Sequence, residues 1–228
     1  MLTHGAGSDR NHQSLVAIEK KMAPLPVERM NFPYVEQGRK FPPDRAPRLI
    51  ESIAEASNKM AEKYGLNAGN LLLGGRSMGG RMCSMAVAEG LPAIGLILIS
   101  YPLHPPKEPE KLRTGHFGKI EVPCLFISGE KDPFGSKSEF QKHVKKIRGP
   151  VTTKWFEGAD HGLKGLEESI SDQIKSWVAS FNRIQSPSFS GLTSPGLRSS
   201  SSIFAVSGNL SITNTAAKTG PTAVIEKA

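Results

Sequence analysis

Apolar positions along residues 1–183 follow two alternating patterns. In some segments they recur at helical spacing, as in Arg45–Tyr64, where Leu49, Ile53 and Met60 fall on one face. In others they form short continuous runs, as in Ile94–Tyr101, which is typical of strands buried on both faces. The patterns predict helices over Gln13–Ala23, Arg45–Tyr64, Met78–Glu89, Ser136–Ile147 and Leu166–Phe181, and strands over Val27–Phe32, Asn70–Gly74, Ile94–Tyr101, Val122–Ser128 and Val151–Phe156.

Buried strands separated by helices indicate an α/β fold: a mainly parallel sheet with helices on both faces. Ligands of such sheets bind beyond the carboxyl ends of the strands. Residues that directly follow a predicted strand are therefore the first candidates for chemistry.

The composition changes from Ile184 onward, where Ser, Thr, Gly and Pro make up 22 of 45 residues. Such a segment buries too little apolar surface to offset the entropy lost on ordering. We therefore divide the chain into a folded domain, 1–183, and a disordered tail, 184–228, through which protein partners could bind.

A G-x-S-x-G segment, residues 75–79, directly follows the predicted strand Asn70–Gly74 and precedes a helix. This is the setting of a nucleophile elbow, in which a tight turn raises a serine hydroxyl, here that of Ser77, above the edge of the sheet. Gly75 and Gly79 supply the small residues that the turn needs, although a plain glycine-rich turn between strand and helix has the same composition.

A serine nucleophile needs a base, and an acidic residue to orient that base. His161 lies in a glycine-flanked loop directly after the strand Val151–Phe156, at the expected edge of the sheet. Asp132 follows the strand Val122–Ser128, with Glu130 as the second candidate for the acid. Ser77, Asp132 and His161 are thus the predicted catalytic triad, in the chain order of α/β-hydrolases.

The other titratable residues fit these roles less well. We expect His143 on the solvent-exposed face of a helix, and His12, His104 and His116 without a matched partner. Asp160 directly precedes His161, and adjacent residues in a turn rarely share a productive hydrogen bond.

Residues 2–7 contain an H-G-x-G loop of the kind that forms half of an oxyanion hole. The predicted donors are the backbone N–H of Met78, at the start of a helix, and that of Gly5 or Ala6. His4 is expected to have a structural role in this loop.

Charge and cysteine content exclude other classes of function. The net charge is +8, but the densest basic cluster, Lys142–Arg148, lies in a predicted amphipathic helix without interleaved aromatic residues, so we expect no nucleic-acid binding. Cys83 and Cys124 lie in apolar segments without metal-ligand spacing, so we expect reduced, buried thiols and no metal.

No apolar run reaches the ~18 residues of a membrane span, and the N-terminus shows no secretory signal. The sequence therefore predicts no membrane association and a cytoplasmic or nuclear location.

Taken together, the segments LTHGAGSDRNH, NFPY, LLLGGRSMGGRM, LISYPLHPP, LFISGEKDPFG and EGADHGL resemble one α/β-hydrolase-like family. That family includes a testis-expressed protein, a subunit of the NSL chromatin complex and bacterial dienelactone-hydrolase-like relatives. The resemblance covers about residues 2–183 and implies the α/β-hydrolase fold. It also implies hydrolase activity, although some relatives look like scaffolds.

The chain departs from this family before the H-G-x-G loop, where members usually carry two or three strands and this chain has Met1, Leu2 and Thr3. In the α/β-hydrolase order, this short strand would lie mid-sheet, between Val27–Phe32 and Asn70–Gly74. We therefore expect an N-terminally incomplete fold, apparently lacking the N-terminal strands, that is unstable alone.

Only residues 102–121 separate two predicted strands at the point where lid domains of this fold are usually inserted. Such a short, proline-containing segment favours an open cleft and a small acyl substrate. The sequence thus predicts a serine hydrolase of carboxylic esters, thioesters or small lactones that needs no cofactor. The alternative is a non-catalytic scaffold or interaction protein of the same fold.

Overall fold

Six parallel strands form one sheet in the order β2-β1-β3-β4-β5-β6. The computed structural model describes residues 1–38 and 42–184. The predicted tail, from residue 185 onward, therefore lies outside the described residues. The strands are β1 Leu2–Thr3, β2 Arg29–Met30, β3 Leu72–Arg76, β4 Gly95–Ile99, β5 Cys124–Gly129 and β6 Val151–Phe156. The helices are α1 Gln13–Met22, α2 Pro33–Glu36, α3 Ala46–Tyr64, α4 Met78–Ala88, α5 Lys137–His143 and α6 Glu167–Ile184.

Helices cover both faces of this sheet, as the apolar runs predicted. On one face α3, α4 and α5 form a core with residues such as Ile53, Met82 and Phe140. On the other face α1 and α6 form a second core with residues such as Ile18 and Ile174. The central strands β4 and β5 are buried at every position, because they contribute side chains to both cores. The predicted α/β-hydrolase architecture is confirmed.

The two-residue strand β1 lies in the middle of the sheet. Leu2 pairs with Arg29 of β2 on one side and with Gly74 of β3 on the other, as predicted. The buried Met1 amine extends this ladder, since it donates a hydrogen bond to the Leu72 carbonyl oxygen at 2.7 Å. Because β1 is flanked on both sides, the loop that follows it emerges at the carboxyl edge directly beside the end of β3.

Strand β2 is four residues shorter than predicted, and helix α5 is five residues shorter. The strand expected over Val27–Phe32 pairs only at Arg29–Met30, because its partner β1 has two residues and Pro33 begins the helix α2. The helix expected over Ser136–Ile147 ends at His143 and continues as a 3₁₀ turn.

Candidate active site

Ser77 lies at a sharp turn between β3 and α4. Its backbone has φ 48° and ψ −116°, a conformation that residues other than glycine rarely adopt. Two backbone hydrogen bonds hold the turn: the Ser77 N–H donates to the Ile99 carbonyl at 2.8 Å, and the Arg81 N–H donates to the Ser77 carbonyl at 3.0 Å. The strain is thus held by β4 on one side and by the first turn of α4 on the other.

The glycines on either side of Ser77 allow β1 to approach the turn. A Cβ atom on Gly75 would lie 2.0 Å from Thr3 Oγ1 and 2.6 Å from the Thr3 carbonyl oxygen. A Cβ on Gly79 would lie 2.5 Å from the His4 carbonyl oxygen. Both positions therefore require glycine because the backbones come too close for a side chain, which is the steric reason for the G-x-S-x-G spacing.

The structure brings Ser77, His161 and Asp132 together in one hydrogen-bonded chain. His161 Nε2 lies 2.9 Å from Ser77 Oγ, and His161 Nδ1 lies 2.8 Å from Asp132 Oδ2. The carboxylate can only accept, so Nδ1 carries the proton and Nε2 is free to accept one from the Ser77 hydroxyl. The Asp132 side chain is 1% exposed and that of His161 is 23% exposed, so the acid is buried while the imidazole reaches the surface.

The loop that carries Asp132 and the loop that carries His161 are held together by a backbone hydrogen bond and a close backbone contact. The Lys131 N–H donates to the Ala159 carbonyl at 2.9 Å, and a Cβ on Gly129 would lie only 2.2 Å from the same oxygen. The second oxygen of Asp132 accepts from the Phe134 N–H at 2.9 Å. With its two oxygens in separate hydrogen bonds, the carboxylate has one orientation toward the imidazole.

The loop after β1 lies against Ser77. A Cβ on Gly5 would be 3.6 Å from the Ser77 Cβ, which is ordinary contact distance. His4 donates from Nδ1 to the Gly5 carbonyl at 2.8 Å, and its Nε2 accepts from the Phe32 N–H at 3.1 Å. Burial lowers the pKa of His4, in keeping with a neutral ring whose two nitrogens are both engaged. Tyr34 donates to the Ala6 carbonyl at 2.9 Å, so both candidate donor residues are held through their carbonyl groups.

The competing acidic candidates lie elsewhere. Glu130 Oε1 is 3.5 Å from Lys137 Nζ at the surface, and Asp160 Oδ1 accepts from the Gly162 N–H at 2.8 Å within its own loop. The two ring nitrogens of His161 are instead engaged by Asp132 and Ser77.

Several expectations about the remaining histidines are wrong. His143 is buried, because it lies three residues after the core residue Phe140 on the same helix face. His116 Nε2 lies 2.8 Å from Ser84 Oγ, and burial, with Arg81 as a second cause, lowers the pKa of His116 to about 4. His12 caps α1 by accepting from the Ser14 N–H, and His104 hydrogen-bonds the Pro105 carbonyl. These partners come from tertiary packing or local turns, which spacing alone does not identify.

Two residues around His161 were missed in the sequence. The Phe134 ring lies 4.2 Å from the His161 ring, centroid to centroid. Arg76 donates from Nη2 to the carbonyl oxygens of His161 at 3.1 Å and Gly162 at 3.0 Å. Both lie within six residues after the end of a predicted strand, Asn70–Gly74 for Arg76 and Val122–Ser128 for Phe134, and this position is the one signal that could have identified them.

The arrangement provides a hydroxyl, an imidazole and a carboxylate in series, which is the requirement for activating a serine nucleophile.

Among residues 1–38 and 42–184, no group of three or more His, Cys, Asp or Glu side chains is placed to hold a metal ion. Within the same ranges, no helix combines the length and apolarity needed to cross a membrane. The thiols of Cys83 and Cys124 are free and buried, as predicted, and burial raises the pKa of Cys83 to about 11.

Solved structures of several hydrolases share this fold. A dienelactone hydrolase from Anabaena variabilis superimposes with a TM-score of 0.65 at 15% identity, covering 78% of this chain and 84% of that one. An alpha-beta serine hydrolase homologue from Coxiella burnetii gives 0.60 at 16% identity, with 78% and 83% covered. Est1E from Butyrivibrio proteoclasticus, bound to ferulic acid, gives 0.61 at 12% identity, with 78% and 87% covered.

Residues 1–187 match the alpha/beta hydrolase domain family over their whole length. The matched region includes the elbow, the acid loop and the histidine loop described above. The chain therefore belongs to the alpha/beta hydrolase domain family.

Proposed function

We propose that the chain is a serine hydrolase of carboxylic esters, thioesters or small lactones. The observation that carries the proposal is the continuous hydrogen-bonded chain from Ser77 Oγ through His161 to Asp132, with distances of 2.9 and 2.8 Å. It begins at a serine held in a strained turn at the carboxyl edge of the sheet. A backbone conformation of this kind persists where the surrounding structure imposes it, often at functional sites.

In the proposed reaction Ser77 Oγ attacks the acyl carbonyl carbon, and its proton passes to His161 Nε2. The imidazolium then protonates the departing alcohol or thiol, which leaves an acyl group on Ser77. Water attacks this acyl-enzyme after giving a proton to His161, and the acid product departs as Ser77 regains its proton. Asp132 keeps the imidazole in the required tautomer and stabilises the imidazolium. No metal or cofactor takes part in these steps.

The negative charge that develops on the carbonyl oxygen needs hydrogen-bond donors. We assign this role to the N–H of Met78, the first residue of α4, together with that of Gly5 or Ala6. The helix start also presents its positive dipole end to this charge. The closeness of Gly5 to Ser77 supports the assignment.

A small acyl substrate is supported by the segment 102–121. Rather than forming a separate lid, the segment folds onto the domain. The Tyr101 hydroxyl donates to the Arg113 carbonyl at 2.7 Å, and the Arg113 N–H donates to the Leu103 carbonyl at 2.8 Å. Further along the segment, Phe117 and Ile120 are buried. A dienelactone hydrolase and the ferulic-acid-bound Est1E among the structural neighbours are consistent with the same substrate class. The GGRSMGGR and SYPLHPP segments support membership of the narrower family that includes a testis-expressed protein and an NSL-complex subunit.

A fluorophosphonate probe tests the proposal directly, because it forms a covalent bond with an activated serine. We expect labelling and ester turnover in the wild-type protein, and loss of both in Ser77→Ala except for a residual ~10³–10⁴-fold catalysis over water. Ser100→Ala is the matched control: like Ser77, Ser100 directly follows a strand and has a positive φ (49°), but it is fully buried and its hydroxyl has no hydrogen-bond partner among the described residues. Absence of labelling in the folded wild-type protein would favour a non-catalytic scaffold.

A further inference from the structure

Arg76 is a buried cation at the end of β3, directly before Ser77. It is 7% exposed, and its Nη2 donates to the main-chain carbonyls of His161 and Gly162 at 3.1 and 3.0 Å. Both carbonyls belong to the loop that carries the imidazole. One side chain therefore joins the strand of the proposed nucleophile to the loop of the proposed base, across 85 residues of sequence.

The direction of the Arg76 side chain follows from strand alternation. Leu72 packs into the core formed with α1 and α6, and Arg76, four residues later on the same strand, points to the same face. The loop 157–166 crosses this face on its way to α6, and its Leu163 lies in the same core. Arg76 is thus placed between the sheet and the His161 loop.

Stability alone does not explain a guanidinium in this position. Burial lowers the pKa of Arg76, although the charges of Glu167, Asp132 and Asp160 act in the opposite direction. Its hydrogen bonds described above go to neutral carbonyl oxygens, and Nη1 is buried without an acceptor among the described residues. An unsatisfied buried donor is destabilising, and an apolar side chain of the same volume would avoid that cost.

We propose that Arg76 is a positioning residue, which fixes the His161 loop so that Nε2 remains within reach of Ser77 Oγ. Its two hydrogen bonds hold two consecutive carbonyls, so the loop can neither tilt nor shift without breaking one of them. A planar guanidinium suits this task because its donors are rigidly spaced. The predicted effect on rate rests on the proposed function, whereas the predicted effect on the His161–Asp132 hydrogen bond does not.

The test compares Arg76→Met, which keeps an unbranched side-chain stem and removes every donor, with Arg76→Lys, which keeps the charge and a flexible donor. We expect kcat for a short p-nitrophenyl ester to fall by roughly 10²-fold in Arg76→Met, the effect of a ~1 Å misplacement, and less in Arg76→Lys. KM should change little, because the buried guanidinium contacts the main chain. We expect the His161 Nδ1 proton to give a deshielded NMR signal in the wild-type protein, because it lies in the 2.8 Å hydrogen bond to Asp132, and to broaden or shift in Arg76→Met.

Two control variants separate positioning from general destabilisation. Arg48→Met removes an exposed arginine that pairs with Glu51 on α3. Ile18→Val removes a methyl group from the core shared with Leu72 and so destabilises the fold modestly. Both should leave kcat and the Nδ1 proton unchanged at a temperature where every variant is folded. The proposal is overturned if Arg76→Met matches these controls in both readouts. If the wild-type protein hydrolyses no ester, the proposed function fails, while the Nδ1 proton still decides the role of Arg76.

Discussion

Replacing Gly75 by alanine tests how closely β1 must approach the elbow. The new Cβ would lie 2.0 Å from Thr3 Oγ1, 2.6 Å from the Thr3 carbonyl oxygen and 2.9 Å from the Gly80 backbone nitrogen. Non-bonded heavy atoms are most stable at about 3.5 Å or more, so β1 must move away by about 1 Å. The Thr3 side chain can rotate, but its carbonyl oxygen belongs to the backbone between β2 and β3.

The magnitude follows from this displacement. Overpacking that moves the backbone costs typically 1–3 kcal/mol, and alanine recovers about 0.5–1 kcal/mol of the entropy that glycine loses in a strand. Because backbone atoms are involved, we take the upper end of this cost, so the net loss is roughly 2 kcal/mol. That loss corresponds to a fall in melting temperature of about 4–8 °C for a domain of this size. Because β1 leads into the loop with Gly5 and Ala6, the same shift should lower kcat by roughly 10²-fold.

Thermal melting by circular dichroism and turnover of a short acyl ester measure the two effects. Gly7→Ala is the matched control, since a Cβ on Gly7 has no heavy atom within 4 Å, so stability and rate should match the wild type. Adding Thr3→Ala to Gly75→Ala should recover only part of the loss, because the 2.6 Å contact with the Thr3 carbonyl remains. A Gly75→Ala protein that melts and reacts like the wild type would refute the steric argument.

A further prediction concerns the acid. Asp132→Asn should lower kcat by roughly 10⁴-fold, because an amide can hold the wrong imidazole tautomer. Glu130→Gln should react like the wild type. The opposite ranking of the two variants in ester assays would transfer the role of the acid to Glu130.

Local sequence patterns determined most of the secondary structure. The stripe of Leu49, Ile53 and Met60 marked α3, and the run around Ile97 marked β4, because both patterns express burial along a single element. The four-residue helix α2 has too few turns to show a periodicity, and β2 owes its length to its two-residue partner β1. Elements whose limits depend on a neighbour were therefore predicted less well.

The candidate site was predictable in part for a similar reason. Ser77, Asp132 and His161 each follow a strand, and parallel strands bring such positions to one edge of the sheet. The loop after β1 was identified by its glycines, whose spacing is a local feature. By contrast, the burial of His143 and the pairing of His116 with Ser84 depend on packing between separate elements.

By itself, then, the sequence determined which residues could carry chemistry and at which edge of the sheet they would meet. Only the tertiary structure decided which oxygen of Asp132 faces His161, which nitrogen of His4 carries a proton, and that Arg76 holds the histidine loop. Buried apolar positions recur along the chain with the period of a helix or a strand, so a short stretch of sequence is enough to detect them. Hydrogen bonds such as that from Arg76 to His161 join residues 85 apart, and their geometry exists only once the intervening strands have packed.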